Sequence, residues 1–434
     1  MHKSNQIDCQ LALELGQGIS KCERLISINI NLSGNSIEQK GVLGLIFGIS
    51  KCKALECLVL DLYGNQIEWQ GAASLGEYIK KLDNLNCLTL DLRGNFIGDK
   101  GLEKLGNCLI ECLKITSLIL YLQISKINNE GAHSLAFGIS NYQNIKILNI
   151  QLQNNQISDQ ALISLAESIS NLSSLVDLSI NIQGNQYSQE GVKWLSAGIT
   201  RCQNLESLSL DFIILVTQDM FSLQSIDKLD ESEKQDEQFL LSNLKRLNRL
   251  DIVIIDDQFQ ISSESVQLLG QELSKLVNLT QLILEIQFSA FIEQAAQELL
   301  INLSTLTNLT SLSIKIYKSE LSDIDFRNIP ILLSSCNKIK YLKLDLSFQD
   351  SQFLNCVEDG LSHLNNLISF DLLLNTTQKE VVASLIQCLL HKKDLKYVVL
   401  ANSQRTIMID RFQKLKQIQK LLKQKKLVYS KISF

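Results

Sequence analysis

Proline occurs once in 434 residues, at position 330. So few breaks in backbone hydrogen bonding exclude collagen-like and proline-rich linker architectures and suit uninterrupted strands and helices. Histidine is nearly as scarce, and the four residues at 2, 133, 363 and 391 stand at no recognisable spacing from Cys, Ser or carboxylates. No phosphate-binding loop, H-E-x-x-H, G-x-S-x-G or paired C-x-x-C occurs. These absences argue against single-chain catalysis, so no catalytic, cofactor-binding or metal-binding residues are expected. The opening "MHKSNQIDCQ" lacks the apolar core of a secretion signal. No apolar run approaches the roughly 20 residues of a membrane span, and a cytoplasmic protein is expected. A net charge of −5 disfavours a generic polyanion binder.

What the chain has in abundance is repetition. In "LNCLTLDLRGNFIGDKGLEKLG", Leu85, Leu88, Leu90 and Leu92 settle into the alternation of a strand with one buried face. Gly94 and Asn95 break it, and Leu102, Leu105 and Leu109 then recur at the spacing of an amphipathic helix. Copies of this strand–turn–helix unit start at Leu25, Leu55, Leu85, Ile115, Ile145, Leu175 and Leu205, thirty residues apart. After a longer gap they resume at Leu247, Leu279, Leu309, Ile339, Leu367 and Leu395, giving thirteen strand segments. One unit cannot bury both its strand and its helix stripe, so neighbours must stack. Helices pack about 8–10 Å apart and strands about 4.8 Å apart, so the stack is expected to bend with its strands inside.

The pattern L-x-x-L-x-L-x-L-x-G-N-x-I-x-x-x-G resembles leucine-rich repeats of the ribonuclease-inhibitor-like class over nearly the whole chain. The resemblance implies an α/β fold, a right-handed β-α solenoid of about 13 repeats shaped as a horseshoe, with parallel strands on the concave face and helices on the convex face. It also implies that Asn35, Asn65, Asn95, Asn155 and Asn185, one per repeat with Ser125 the exception, form a structural ladder through the turns. A second column, Gly41, Gly71, Gly101, Gly131 and Gly191, marks close backbone approach near the helix start. Cys22, Cys52, Cys112 and Cys202 share one place in their repeats and read as a packing column of small buried hydrophobes. Cys57 and Cys87 occupy equivalent strand positions one repeat apart, too few to make a metal site.

Four segments are expected: regular repeats over 1–212, an acidic insertion over 213–242, degenerate repeats over 243–402 and a basic capping helix and tail over 403–434. Residues 1–24 align with the second half of a repeat, which leads to the expectation of a missing preceding portion or a covered edge. The Gly-Asn turn is absent after the insertion, so those loops should vary more. Pro330 should sit in the first turn of a helix. Residues 401–434 hold nine Lys or Arg against one Asp. Such a segment can touch nucleic acid or anionic membranes, although a solvated cap is the expectation.

The strand residues between the leucines face away from the helices and are the candidate contacts: Asp61, Tyr63, Asp91, Arg93 and Tyr121. Tyr and Arg are favoured interface anchors, and apposed Asp61 and Asp91 invite a basic group. The expected function is therefore a non-catalytic scaffold binding a protein partner with a basic surface, and no small-molecule substrate. Two alternatives come from the resemblance. Similar repeats form the body of Ran GTPase-activating proteins, which carry an acidic tail where this chain is basic, and they also occur behind kinase domains, of which no motif is present here.

Overall fold

A computed structural model of the chain describes residues 6–212, 241–255, 263–288, 293–318, 327–346, 351–374, 379–402 and 429–433. They fall into two compact units, the first ending at Phe212 and the second covering the described residues from Leu241 onward. Most of the expected acidic insertion (213–240) and most of the expected basic cap (403–428) lie outside the described residues.

In the first unit the strands β1 (Ser27–Asn31), β2 (Cys57–Asp61), β3 (Cys87–Asp91), β4 (Ser117–Tyr121), β5 (Ile147–Gln151), β6 (Asp177–Asn181) and β7 (Ser207–Phe212) each pair with the next in parallel. The register is one repeat, so Leu58 faces Leu88 and Leu88 faces Leu118. The helices are α1 (Cys9–Ile19), α2 (Glu38–Ile49), α3 (Trp69–Ile79), α4 (Gly98–Leu109), α5 (Asn129–Ile139), α6 (Asp159–Ser170) and α7 (Gln189–Thr200), one before each strand. The core lies between the sheet and the helices: Leu58, Leu60, Leu88 and Leu90 from the strands and Leu75, Leu102 and Leu105 from the helices are fully buried. At about 25 cal/mol per Å² of apolar surface, this stacked leucine column is the dominant stabilising contribution.

The strands are shorter than the alternation suggests. Leu85 is buried but precedes β3, because its amide is spent on the Leu82 carbonyl in a local turn, 3.0 Å away. Past each of β1 to β6 the chain bends at one equivalent position, where Gly34, Gly64, Gly94 and Gly184 have φ between 62° and 68°. Ile124 and Asn154 occupy the same column with φ of 55°. For a β-branched residue such as Ile124 this region is strained.

The second unit repeats the plan with β8 (Arg249–Ile255), β9 (Gln281–Phe288), β10 (Ser311–Lys318), β11 (Tyr341–Leu346), β12 (Ser369–Leu374) and β13 (Tyr397–Asn402), again parallel neighbours. A further strand, β14 (Tyr429–Ser433), pairs with β13 within the expected basic tail. Its described helices are α8 (Ser263–Ser274), α9 (Glu293–Leu303), α10 (Ile329–Ser335), α11 (Ser351–Ser362) and α12 (Lys379–Leu390), and Pro330 does sit in the first turn of α10. Strands β9 and β10 run eight residues against five in β2 and β3, since no Gly-Asn turn stops them. The chain is an α/β solenoid of about thirteen repeats, seven strands in the first unit and six in the second before β14.

All eleven cysteines are free. The cysteine column is a hydrogen-bonded one: the Cys52 thiol points at the Cys22 carbonyl (3.4 Å), Cys202 at Ile169 (3.3 Å) and Cys336 at Leu306 (3.4 Å). Tyr142 fills the same column and donates to the Leu109 carbonyl at 2.8 Å. Burial pushes the Cys202 and Cys336 thiols up to about 12.

Helix starts are tied across repeats. The Asp99 carboxylate accepts the amides of Asn128 (2.7 Å) and Gly131 (3.1 Å) of the next repeat, and Asp159 does the same for Ser188 and Gly191. A Cβ on Gly131 would lie 2.9 Å from the Asp99 Cα, so only glycine allows this approach.

Candidate partner-binding face

Alternation along β2, β3 and β4 sends Leu58, Leu60, Leu88, Leu90, Leu118 and Leu120 into the core. The intervening residues therefore lie on the opposite face, with Asp61 in register with Asp91, and Asp91 with Tyr121. Two residues further on, at the strand ends, come Tyr63 and Arg93.

The five residues chosen from the sequence come together here. Arg93 Nε donates to both Asp91 carboxylate oxygens at 2.9 Å, and Nη2 adds a third contact to Oδ2. The guanidinium carbon lies 5.2 Å from the Tyr63 ring centre and 5.4 Å from that of Tyr121, so the cation is held between two aromatic faces. The hydrogen bonds that Arg93 donates to Asp91 raise its pKa above the ordinary value. Tyr63 remains 45% exposed and the Arg93 side chain 41% exposed, whereas the Asp91 side chain is 8% exposed.

The acidic column also has a local task that alternation alone does not reveal. Asp91 Oδ1 accepts the Arg93 amide and Asp61 Oδ1 the Tyr63 amide, both at 3.1 Å. Asn31 and Asn181 make the same bond to Ser33 and Gln183. Asp or Asn at the strand end thus closes an Asx-type turn. Asp91 is in addition neutralised within the chain by Arg93, so the basic group it invites is already supplied. Asp61 forms no ion pair within 4 Å among the described residues.

Beneath this face the asparagine ladder fixes the turns. The Asn95 side-chain oxygen accepts the amides of Asn65 (2.7 Å) and Ile67 (3.1 Å), and its Nδ2 donates to the Leu62 carbonyl (2.8 Å). Asn35, Asn65, Asn155 and Asn185 each reach the preceding repeat in the same manner, Asn35 through the amide of Ile7. Ser125 has one hydroxyl in place of the amide and contacts the carbonyls of Gln123 (3.2 Å) and Leu92 (3.5 Å).

The sequence reasoning missed two exposed apolar residues on the turns, Phe96 and Ile124, both 53% exposed. Ile124 carries a signal, since it replaces the repeat's glycine; Phe96 carries none, because that position has no fixed chemistry. The described histidines do not converge on this face: His133 bonds the Ser164 hydroxyl, and His363 and His391 bond helix carbonyls on the second unit. Among the described residues no group of three or more His, Cys, Asp or Glu is arranged to hold a metal ion, and no helix is long and apolar enough to cross a membrane. The chain matches no protein-family model and no curated protein.

Proposed function

We propose that this protein is a non-catalytic, cytoplasmic scaffold of the leucine-rich-repeat, ribonuclease-inhibitor-like kind, and that a protein partner binds the strand face of its first unit. The observation that carries this reading is the Tyr63–Arg93–Tyr121 stack. Two aromatic rings and a guanidinium, partly exposed and already ordered by Asp91, lose little side-chain entropy on binding, which is the property of an interface anchor. The partner is one with a basic surface. Within β1 to β7 the charged residues on that face are Asp61, Asp91, Asp177 and Asp211, all acidic, and Arg93 offsets one of them.

Affinity purification followed by mass spectrometry tests the reading, with the wild-type chain set against a Tyr63→Ala/Tyr121→Ala variant and an Asp61→Asn variant, which removes the charge and keeps the turn-closing oxygen. The expected result is a partner lost by both variants while their thermal unfolding stays near that of the wild type. An unchanged set of captured proteins in both would sink it.

A further inference from the structure

Cys57 and Cys87 stand apart from the other thiols. They are register partners at the start of β2 and β3, on the face turned away from the helices, and both are half-buried. Cys52, Cys202 and Cys336, by contrast, are sealed in the core. In the strand register Cys87 stands between Cys57 on β2 and Ser117 on β4. Neighbouring strands run about 4.8 Å apart, inside the range of roughly 4.4–6.8 Å that disulfide Cα atoms span. Two thiols carried side by side on the same face of neighbouring strands need only side-chain rotation and a small strand adjustment to bond.

We propose that Cys57 and Cys87 form a redox-sensitive dithiol that a hydroperoxide converts into a cross-strand disulfide. In the first step one thiolate attacks the peroxide; the O–O bond breaks, the hydroxide or alkoxide leaves and takes up a proton, and a sulfenic acid forms. In the second step the other thiol attacks the sulfenic sulfur; the S–O bond breaks, water carries away the oxygen with the thiol proton, and the S–S bond forms. The sulfur pair loses two electrons and the peroxide gains two. A thiol reductant reverses the change by exchange. Burial, with the neighbouring thiol adding to it, pushes the Cys87 thiol up, so its own attack on peroxide is slow near neutral pH and quickens as pH rises. The bond staples β2 to β3, the strands that lead into Tyr63 and Arg93.

The test is treatment of the folded full-length chain with hydrogen peroxide, alkylation of remaining thiols, proteolysis without reductant and mass spectrometry. Exposed Cys22 serves as the unpaired reference thiol. The expected result is a linked peptide pair containing Cys57 and Cys87 that disappears on reduction. In Cys57→Ser, Cys87 should instead accumulate as a sulfenic acid trapped by a dimedone probe. The proposal is overturned if both thiols stay fully alkylatable at a peroxide dose that oxidises Cys22, or if Cys87 links to other cysteines as readily as to Cys57.

Discussion

Replacing Asn95 by alanine should weaken the first unit by about 2–4 kcal/mol, a figure that follows from which groups lose their only partner. Asn95 is fully buried and serves four backbone groups. The two carbonyls are not left bare, because Leu62 still accepts from Asn65 Nδ2 (3.0 Å) and Arg93 from the Gly64 amide (2.9 Å). The amides of Asn65 and Ile67 have no such second acceptor, and an orphaned buried N–H costs roughly 1–3 kcal/mol. Two of them, partly relieved by water entering the space left by the amide, give the stated range. Urea unfolding followed by circular dichroism measures the total, and hydrogen exchange resolved at residues 65 and 67 measures the local effect. Asn84→Ala removes two exposed bonds, one donated to the Lys53 carbonyl and one accepted from Lys114 Nζ, and is the control, expected to change stability by less than about 0.5 kcal/mol. A loss below about 1 kcal/mol for Asn95→Ala, with unchanged exchange at both amides, would refute the ladder as a main determinant of the turns.

The double change Ile124→Gly/Ser125→Asn should stabilise the chain by about 1–2 kcal/mol, as relief of the left-handed strain combines with a restored amide rung; unfolding in urea reads this directly. Gly131→Ala should cost about 1–3 kcal/mol through overpacking against the Asp99 backbone, visible as a lower melting temperature, and Asp99→Ala about 1 kcal/mol through the lost helix cap. Buried Cys202 and Cys336 are raised in the fold from 9.0 to about 12. The unfolded chain releases these protons first, so their contribution is present below pH 9 and is lost as pH rises towards 12, at about 1.4 kcal/mol per pH unit for each thiol. A pH series of unfolding midpoints in which Cys202→Ala and Cys336→Ala flatten that loss checks the sign.

Much of the architecture is legible in the residues because a repeat states its own structure many times. The alternation of Leu88 and Leu90, the glycine before Asn95 and the helical spacing of Leu102 and Leu105 each follow from local geometry, and thirty-residue periodicity converts them into a stacking register. Strand face could be assigned as well, since side chains alternate with period two, and this is why Tyr63, Arg93 and Tyr121 could be selected together. Their pairing could not. That Arg93 turns back onto Asp91 and lies between two tyrosines depends on distances across three strands, and that Asp61 and Asp91 close turns depends on the bend made by Gly64 and Gly94.

The sequence alone therefore determined the α/β solenoid, its register and which side chains leave the core, because those depend on periodicity and on the burial of apolar surface. Only the tertiary structure decided that Asp91 is neutralised from within, that Ile124 is strained and that Asp99 caps the helix of the next repeat. Those are contacts between residues about thirty positions apart or held by backbone angles, and no local pattern specifies an angle or a distance.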